Sequence, residues 1–474
     1  MSANRRQFVA TSAAALAFSG FSRLSRAETS ANMAPYLSQV PGYGELVGDP
    51  AAIIDLPRGF TYSVISRHGE LMSDGLVTPG KMDGMGCFPL WGDRVALVRN
   101  HEISPRDTDI TAFGPRRALA SRVKADRVYD VDDDGLPLGG GTTTLVYDLK
   151  HRRLESSHLS LAGTMVNCAG GSTPWGSWLS CEETTVTTGQ QKVKKPHGFV
   201  FEVPSRARGL VEPEPITAMG RFRHEAAAID PRSGIVYMTE DVGDGMGLFY
   251  RYLPNDRRHL NKGGRLQALA LPEGKDGDPR NWNSTYWSPG DWRSVHWIDL
   301  DGVDNPHEDL RNRGHDKGAA WFARGEGIFW GKDELYFTCT SGGPKKGSQI
   351  MRYVPSAQEG QAGEADAPGR LQLFVEPSDD LILRMADNIS ISPWGHLIVC
   401  EDKVGGTNFL RGVTPKGEVY TLARNAHLGD GDVGGTSEFA GCCFSPDGTT
   451  LFVNVYSPGL TLAITGPWSQ FRDA

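Results

Sequence analysis

The groups in this chain best suited to holding a cation are not gathered in one motif. They recur at the ends of short apolar runs. Glu225 opens one such run, and Glu240 with Asp241 closes it. Asp387 and Asn388 open another, closed by Glu401 and Asp402. Cys168 opens a third, closed by Glu182 and Glu183, while Asp83 and His101–Glu102 bracket a fourth. Glu326 and Glu438 each open one more. Carboxylates and an Asn carbonyl are hard oxygen donors of the kind calcium and magnesium take. A thiolate at Cys168 is softer and points to a transition metal. Such acids repel when brought together, and burying them unpaired is costly. Each of them taken singly reads first as a strand-end surface residue; the recurrence is what argues for convergence on cations.

Arg324 adds a second kind of group. It stands two residues before Glu326, on the same face of an extended segment. Its planar fork matches phosphate and carboxylate oxygens, and a plain salt bridge to a neighbouring acid is the alternative. Arg223, beside His224 and Glu225, admits the same two roles. His224 and His101 read as structural histidines. Three common catalytic signatures are missing: the GxSxG nucleophile elbow, the HExxH zinc helix and the GxxxxGK[ST] phosphate loop.

These side chains need a scaffold that carries strand ends to one place. Six stretches share one plan, at residues 82–102, 167–183, 224–241, 326–343, 387–402 and 437–457. Each has a polar opening, an apolar run, a turn glycine (Gly92, Gly176, Gly234, Gly331, Gly395 and Gly448), a second apolar run and a polar close. That is the signature of an antiparallel hairpin. The first and last residues of a hairpin lie together, opposite its turn. Spacing of roughly 70 residues per unit exceeds the ~40–50 of a four-stranded propeller blade, so each unit holds a blade plus loops. The expectation is an all-β chain, one six-bladed β-propeller with long loop insertions, the largest at about 255–318. Two stacked β-sandwiches are the alternative. The 58 glycines and 29 prolines among 474 residues favour many short strands over helices.

The N-terminus reads as an address. Paired arginines at Arg5 and Arg6, an alanine-rich apolar run to Phe21 and a small-residue site at Ser25–Ala27 predict a twin-arginine signal peptide over residues 1–27. The propeller then occupies residues 28–474. The expected partner is the Tat export machinery and the expected location the periplasm or beyond. The apolar run is too short to span a bilayer, so no stable membrane span is expected. A net charge of −8 gives no basic footprint, which argues against nucleic acid. Seven cysteines without a CxxC pair exclude a zinc-finger pattern. Cys181 and Cys400 sit in apolar strand-like runs as small buried hydrophobes.

Together, GMGCFPLWGDRVALVRNHE, GTMVNCAGGSTPWGSWLSCEET, RFRHEAAAIDPRSGIVYMTED, FARGEG, DNISISPWGHLIVCED and SEFAGCCFSPDGTTLFVN resemble the PhoX family of secreted alkaline phosphatases, from about Pro41 to the C-terminal AITGPW. The resemblance implies a monomeric six-bladed propeller that hydrolyses small phosphate monoesters at an axial cluster of iron and calcium, with a metal-activated oxygen as nucleophile. It implies Cys168 as an iron ligand, and Glu182 or Glu183, Glu225, Glu240 and Glu326 as metal ligands. It also implies that Arg324 contacts phosphate. Asp387, Asn388 and Glu438 join the expected metal set from the hairpin pattern, and Arg324, Cys168 and Glu326 form the expected catalytic set. Where family members carry RPEG, this chain has Arg324-Gly325-Glu326-Gly327, which loosens the backbone but keeps both side chains. The alternatives are a calcium-dependent propeller lactonase, which the Asp387-Asn388 pair suits but which leaves Cys168 and Arg324 without a role, and a non-catalytic secreted calcium-binding propeller, which predicts calcium at most, no iron and no turnover.

Overall fold

The computed structural model describes residues 34–428 and 435–471; the expected signal peptide lies outside the described residues. Six antiparallel sheets stand around one axis, and their first strands neighbour one another in a closed ring. Those inner strands are Met82–Pro89, Asn167–Ser172, His224–Ile229, Gly325–Trp330, Ala386–Ile391 and Phe439–Phe444, one for each sequence repeat. The molecule is a six-bladed β-propeller.

Each inner strand turns into its neighbour through the hairpin that the turn residues specify. In the fifth blade, β-branched and aliphatic residues on both sides flank Ser392-Pro393-Trp394-Gly395. The Gly395 N–H closes the turn on the Ser392 carbonyl at 2.9 Å, with Gly395 at φ +88°. In the fourth blade the left-handed turn residue is Asp333, at φ +62°, rather than the expected Gly331. Asp tolerates that conformation because its short side chain bonds locally.

Blade size varies. The second blade has three strands, whereas the third and fourth each have five. Residues 255–318, expected as the largest insertion, carry Gly264–Ala270 and His296–Asp299 of the third blade and Trp292–Ser294 at the edge of the fourth. Gly264–Ala270 is buried from Leu266 onward and mixes Arg265 and Gln267 with small and apolar residues, which blurs the alternation that marks a strand. The same stretch holds a seven-residue helix, Leu310–Asp316. No helix among the described residues is long and apolar enough to cross a membrane.

Apolar clusters fill the wedges between blades. Between the third and fourth, Phe249 stacks on Phe337 with ring centroids 4.2 Å apart, amid Tyr237, Tyr353 and Leu371. Burying one such ring contributes about 1.5–3 kcal/mol. The N-terminal segment seals the ring. Thr61–Arg67 adds the outer strand of the sixth blade by pairing with Leu460–Thr465. Ile54–Pro57 pairs with Val419–Asn425 of the fifth. There Arg424 Nε donates to the buried Asp55 carboxylate at 2.7 Å.

A second polar tie joins the loop after the first blade's second strand to the second blade. His197 is fully buried between Glu182, at 2.6 Å, and Asp130, at 3.2 Å. Burial pulls its pKa down, but the charges of Glu182 and Asp130 outweigh that and hold it at about 9.

Two outcomes follow from these ties. Arg424→Met leaves Asp55 buried and unpaired, which costs about 3 kcal/mol. A thermal melt should show a lower Tm, and limited proteolysis should cut first near residues 34–57. For His197, a folded pKa of about 9 against about 6.5 unfolded makes its contribution complete below about pH 6.5 and lost as pH rises through about 9, at most about 3 kcal/mol. The Tm difference between wild type and His197→Gln should therefore be larger at pH 6 than at pH 9.5. An equal difference at both would mean that His197 is neutral throughout.

Candidate metal centre

A shared irregularity aims the site. In all six blades the pairing of the inner strand skips two residues: Asp83-Gly84, Cys168-Ala169, Glu225-Ala226, Glu326-Gly327, Asp387-Asn388 and Gly441-Cys442. A β-bulge re-aims the extra residue's side chain, and bulges recur beside active sites. In four blades the residue just before the inner strand is left-handed: Lys81, Val166, Arg324 and Met385, at φ +45°, +50°, +57° and +44°. Non-glycine residues in that region carry backbone strain, which the surrounding structure must hold in place.

The bulges bring six of the expected residues together. Ligand atoms of Cys168, Glu183 and Glu225 lie within 4.8 Å of one another, as do those of Glu225, Glu326 and Asp387, and those of Asp387, with Glu438 and Asp402. Glu225 and Asp387 are each shared, so the three trios form one continuous row. Asp83 flanks it, 3.5 Å from the Cys168 thiol. Glu102 accepts a hydrogen bond from the Tyr456 hydroxyl at 2.5 Å.

Glu182, Glu240 and Asn388 are not brought into the row. Consecutive strand residues point to opposite sides, so of each closing pair the member inside the ladder turns away. Glu182 pairs with Asn167, Glu240 with His224 and Glu401 with Ala386. Glu182 accepts from the N–H groups of Met165, Gly198 and Phe199 and from His197. Glu240 accepts from the Leu248 N–H and the Tyr250 hydroxyl. Asn388 spends its amide on Asp387 and its carbonyl on the Gly441 N–H. The residues one step further, Glu183, Asp241 and Asp402, reach the axis side. Sequence reasoning passed over Asp402 and Asp241 as ligand or partner; the signal was their place as second member of each closing pair.

The sixth blade departs from the rest. Its bulge residue is Gly441, at φ +60°, and an added Cβ would collide with the Asp83 carbonyl. No side chain fits there, and Glu438, ahead of the strand, supplies the carboxylate instead.

The charge in this row is only partly compensated. Burial first, then neighbouring carboxylates, push Asp83, Glu225, Glu326 and Glu438 well above the usual carboxylate range. The same causes bring Asp387 to about 7 and push the Cys168 thiol up. Glu225 is fully buried, and neither of its carboxylate oxygens has a hydrogen-bond partner. Arg324 ties two blades together at the row. Its Nε and Nη2 grip Asp241, and Nη2 also reaches Glu326 at 2.8 Å. Both readings of Arg324 stay open, since its Nη1 makes no hydrogen bond within the described residues. His101 and His224 are structural: His101 bridges the Gly80 carbonyl and Thr143, and His224 bonds the Gly220 carbonyl and stacks on Phe222. All seven cysteines are free.

On the turn side of the bulges the axis opens into a cavity of about 540 Å³, lined by Gly84, Ala169, Ala226 and Gly327 among others. No charged side chain lines it, so the acids and arginines stand at the opposite end.

The architecture matches that of Pseudomonas fluorescens PhoX in complex with vanadate, a transition state analogue. The TM-score is 0.66, with 19% identity over 91% of this chain and 97% of that one. A gluconolactonase from Xanthomonas campestris is a looser likeness, at TM-score 0.38 and 12% identity over 91% of this chain and 100% of that one. No curated protein sequence matches the chain. The family model described as alkaline phosphatase PhoX spans residues 41–459, and so the chain belongs to the PhoX family of alkaline phosphatases.

Proposed function

We propose that this protein is an exported, metal-dependent phosphomonoesterase that releases inorganic phosphate from small phosphate esters. The observation that carries the metal centre is Glu225. A fully buried carboxylate with both oxygens unpartnered is stable only if protonated or bound to cations, and it is shared by two trios of ligand atoms. The donor chemistry grades along the row. Cys168 with Glu183 and Glu225 suits iron, because a thiolate favours a transition metal. The all-oxygen end of Asp387, Asp402 and Glu438 suits calcium. Membership of the PhoX family supports both the activity and a periplasmic or secreted location, with export through the Tat machinery and a monomeric chain.

Cations held in this row supply Lewis acidity towards the ester oxygens and acidify water at neutral pH. The chain's own residues do the rest. Glu225 and Asp387, each shared by two trios of ligand atoms, would hold neighbouring cations together in one row. Arg324, clamped by Asp241, presents its remaining N–H groups to the phosphoryl oxygens as charge builds on them. The bulged strands hold these groups without rearrangement, so the site is organised before substrate arrives. No serine or other side-chain nucleophile is needed. The lactonase and non-catalytic alternatives give Cys168 no role among the carboxylates.

Protein purified after export should contain iron and calcium and should hydrolyse p-nitrophenyl phosphate, with activity lost on chelation. Folded, exported protein lacking both metal and turnover would sink the proposal. Cys168→Ala should lose iron and at least about a hundredfold in kcat while its circular dichroism stays that of the wild type. Full activity would reduce Cys168 to a packed thiol. Glu183→Gln and Glu182→Gln separate the two members of one closing pair. The first should weaken metal binding by about 10–100-fold with little change in Tm. The second should lower Tm and leave metal content intact.

A further inference from the structure

Three blades place a cation at the same position, two residues before the bulge acid. Lys81 precedes Asp83, Arg223 precedes Glu225 and Arg324 precedes Glu326. Two of the three are occupied. Lys81 is tied to Asp107 at 2.9 Å, and Arg324 is held by Asp241 and Glu326. Arg223 is exposed, and no hydrogen bond or ion pair to it occurs within the described residues. It nevertheless stands at the charged end of the axis. Burial and the neighbouring acids push the Glu183 carboxyl up, and Arg223 and Arg324 pull against them.

An arginine beside so many carboxylates would be expected to bind one of them. Arg223 instead keeps its planar fork open to solvent, in geometry that suits a phosphate or carboxylate arriving from outside. Depth separates it from Arg324. The Arg324 side chain is 24% exposed and pinned against the row of acids, whereas Arg223 lies on the outside of the strand start. The turn-side cavity beyond the row is lined without a charged side chain, so an anionic leaving group finds its cation on the other side, where Arg223 stands exposed near Glu183. The mouth also needs such a group. The chain carries a net charge of −8 and opens its inner strands with acids, so anionic substrates gain most from an exposed cation at the entrance.

We propose that Arg223 is a specificity-determining residue that binds a second anionic group on the leaving portion of the ester, so that preferred substrates carry a carboxylate or another phosphate near the scissile one. This rests on the phosphomonoesterase reading above. The substrate pair that isolates it is 3-phosphoglycerate and glycerol 3-phosphate, which differ in a carboxylate against a hydroxymethyl group.

Steady-state kinetics on the metal-loaded wild type should show a lower KM for 3-phosphoglycerate, and the preference should shrink as salt is raised. Arg223→Ala should raise KM for 3-phosphoglycerate about tenfold, the scale of one screened charge-assisted hydrogen bond, with kcat unchanged. KM for glycerol 3-phosphate should move less than about twofold on the same scale, and metal content should not change. Arg223→Lys should recover part of the difference. An equal rise for both esters would place Arg223 on the transferred phosphoryl group and overturn the proposal, as would no change for either. Failure of the underlying phosphatase reading looks different: the wild type would then hydrolyse neither ester.

Discussion

Mutual repulsion of acids on the propeller axis is the constraint that the rest of the structure answers to. Two unit charges 4.8 Å apart repel by about 3.5 kcal/mol at an effective dielectric of about 20. The row contains several such pairs, and a whole domain is stable by only about 5–15 kcal/mol. Full ionisation without counter-charge would therefore consume most of what the fold gains. Either protons or cations must share the site. Arg324 supplies part of the counter-charge, to Asp241 and Glu326. Glu225 has no such recourse, since neither of its oxygens has a partner.

The scaffold copes by separating two kinds of acid. Behind the inward row lies a set of buried acids held by backbone and side-chain hydrogen bonds. Glu182 takes three backbone N–H groups and His197, Glu401 takes the Arg411 guanidinium at 2.8 Å, and Glu240 takes Tyr250. These fix the strand ends from which Glu183, Asp241 and Asp402 emerge. The inner strands are also pressed together: a Cβ at Gly327 would stand 2.6 Å from the Asp387 carbonyl oxygen. Close backbone contact between neighbouring blades keeps the carboxylates from drifting apart to relieve their repulsion. Preorganisation and strain are thus the same feature seen from two sides, and the left-handed residues Lys81, Val166, Arg324 and Met385 belong to it.

Much of this was legible in the chain. The hairpins announce themselves through Pro, Asp and Gly turns between β-branched runs, and six of them at wide spacing specify a propeller. Cys168, Glu225, Glu326, Asp387 and Glu438 follow from hairpin ends alone, and Glu183 as one of a pair with Glu182. What the sequence hides is the bulge. Pairing that skips two residues changes which side chain faces the axis, and nothing in HEAAAI or DNISIS states that a ladder bond is missing. The choice within Glu182–Glu183 turned on ladder register, since the pair reads identically by residue type. Gly441 shows the same limit: it looks like one more glycine in SEFAGCC, yet steric exclusion by the Asp83 carbonyl is why the sixth blade supplies its acid from Glu438.

Six similar blades do not make a symmetric site, and the departures from symmetry are where function enters. Cys168 stands where Asp83, Glu225, Glu326 and Asp387 place oxygen, which makes one end of the row softer than the other. Glu225 joins the thiol end to the carboxylate end, and an arginine stands two residues before it, as another stands two residues before Glu326. One of these arginines is clamped by Asp241, and the other makes no hydrogen bond or ion pair among the described residues. A clamped guanidinium can stabilise charge at a fixed point, because its position is set by protein before any ligand binds. A free one cannot do that as well, but it can follow ligands of different size. The two arginines therefore suit different tasks, one at the reacting phosphoryl group and one at the variable remainder of the ester. The division comes from a single difference between blades: Asp241 is placed to hold Arg324, and Arg223 has no acid holding it.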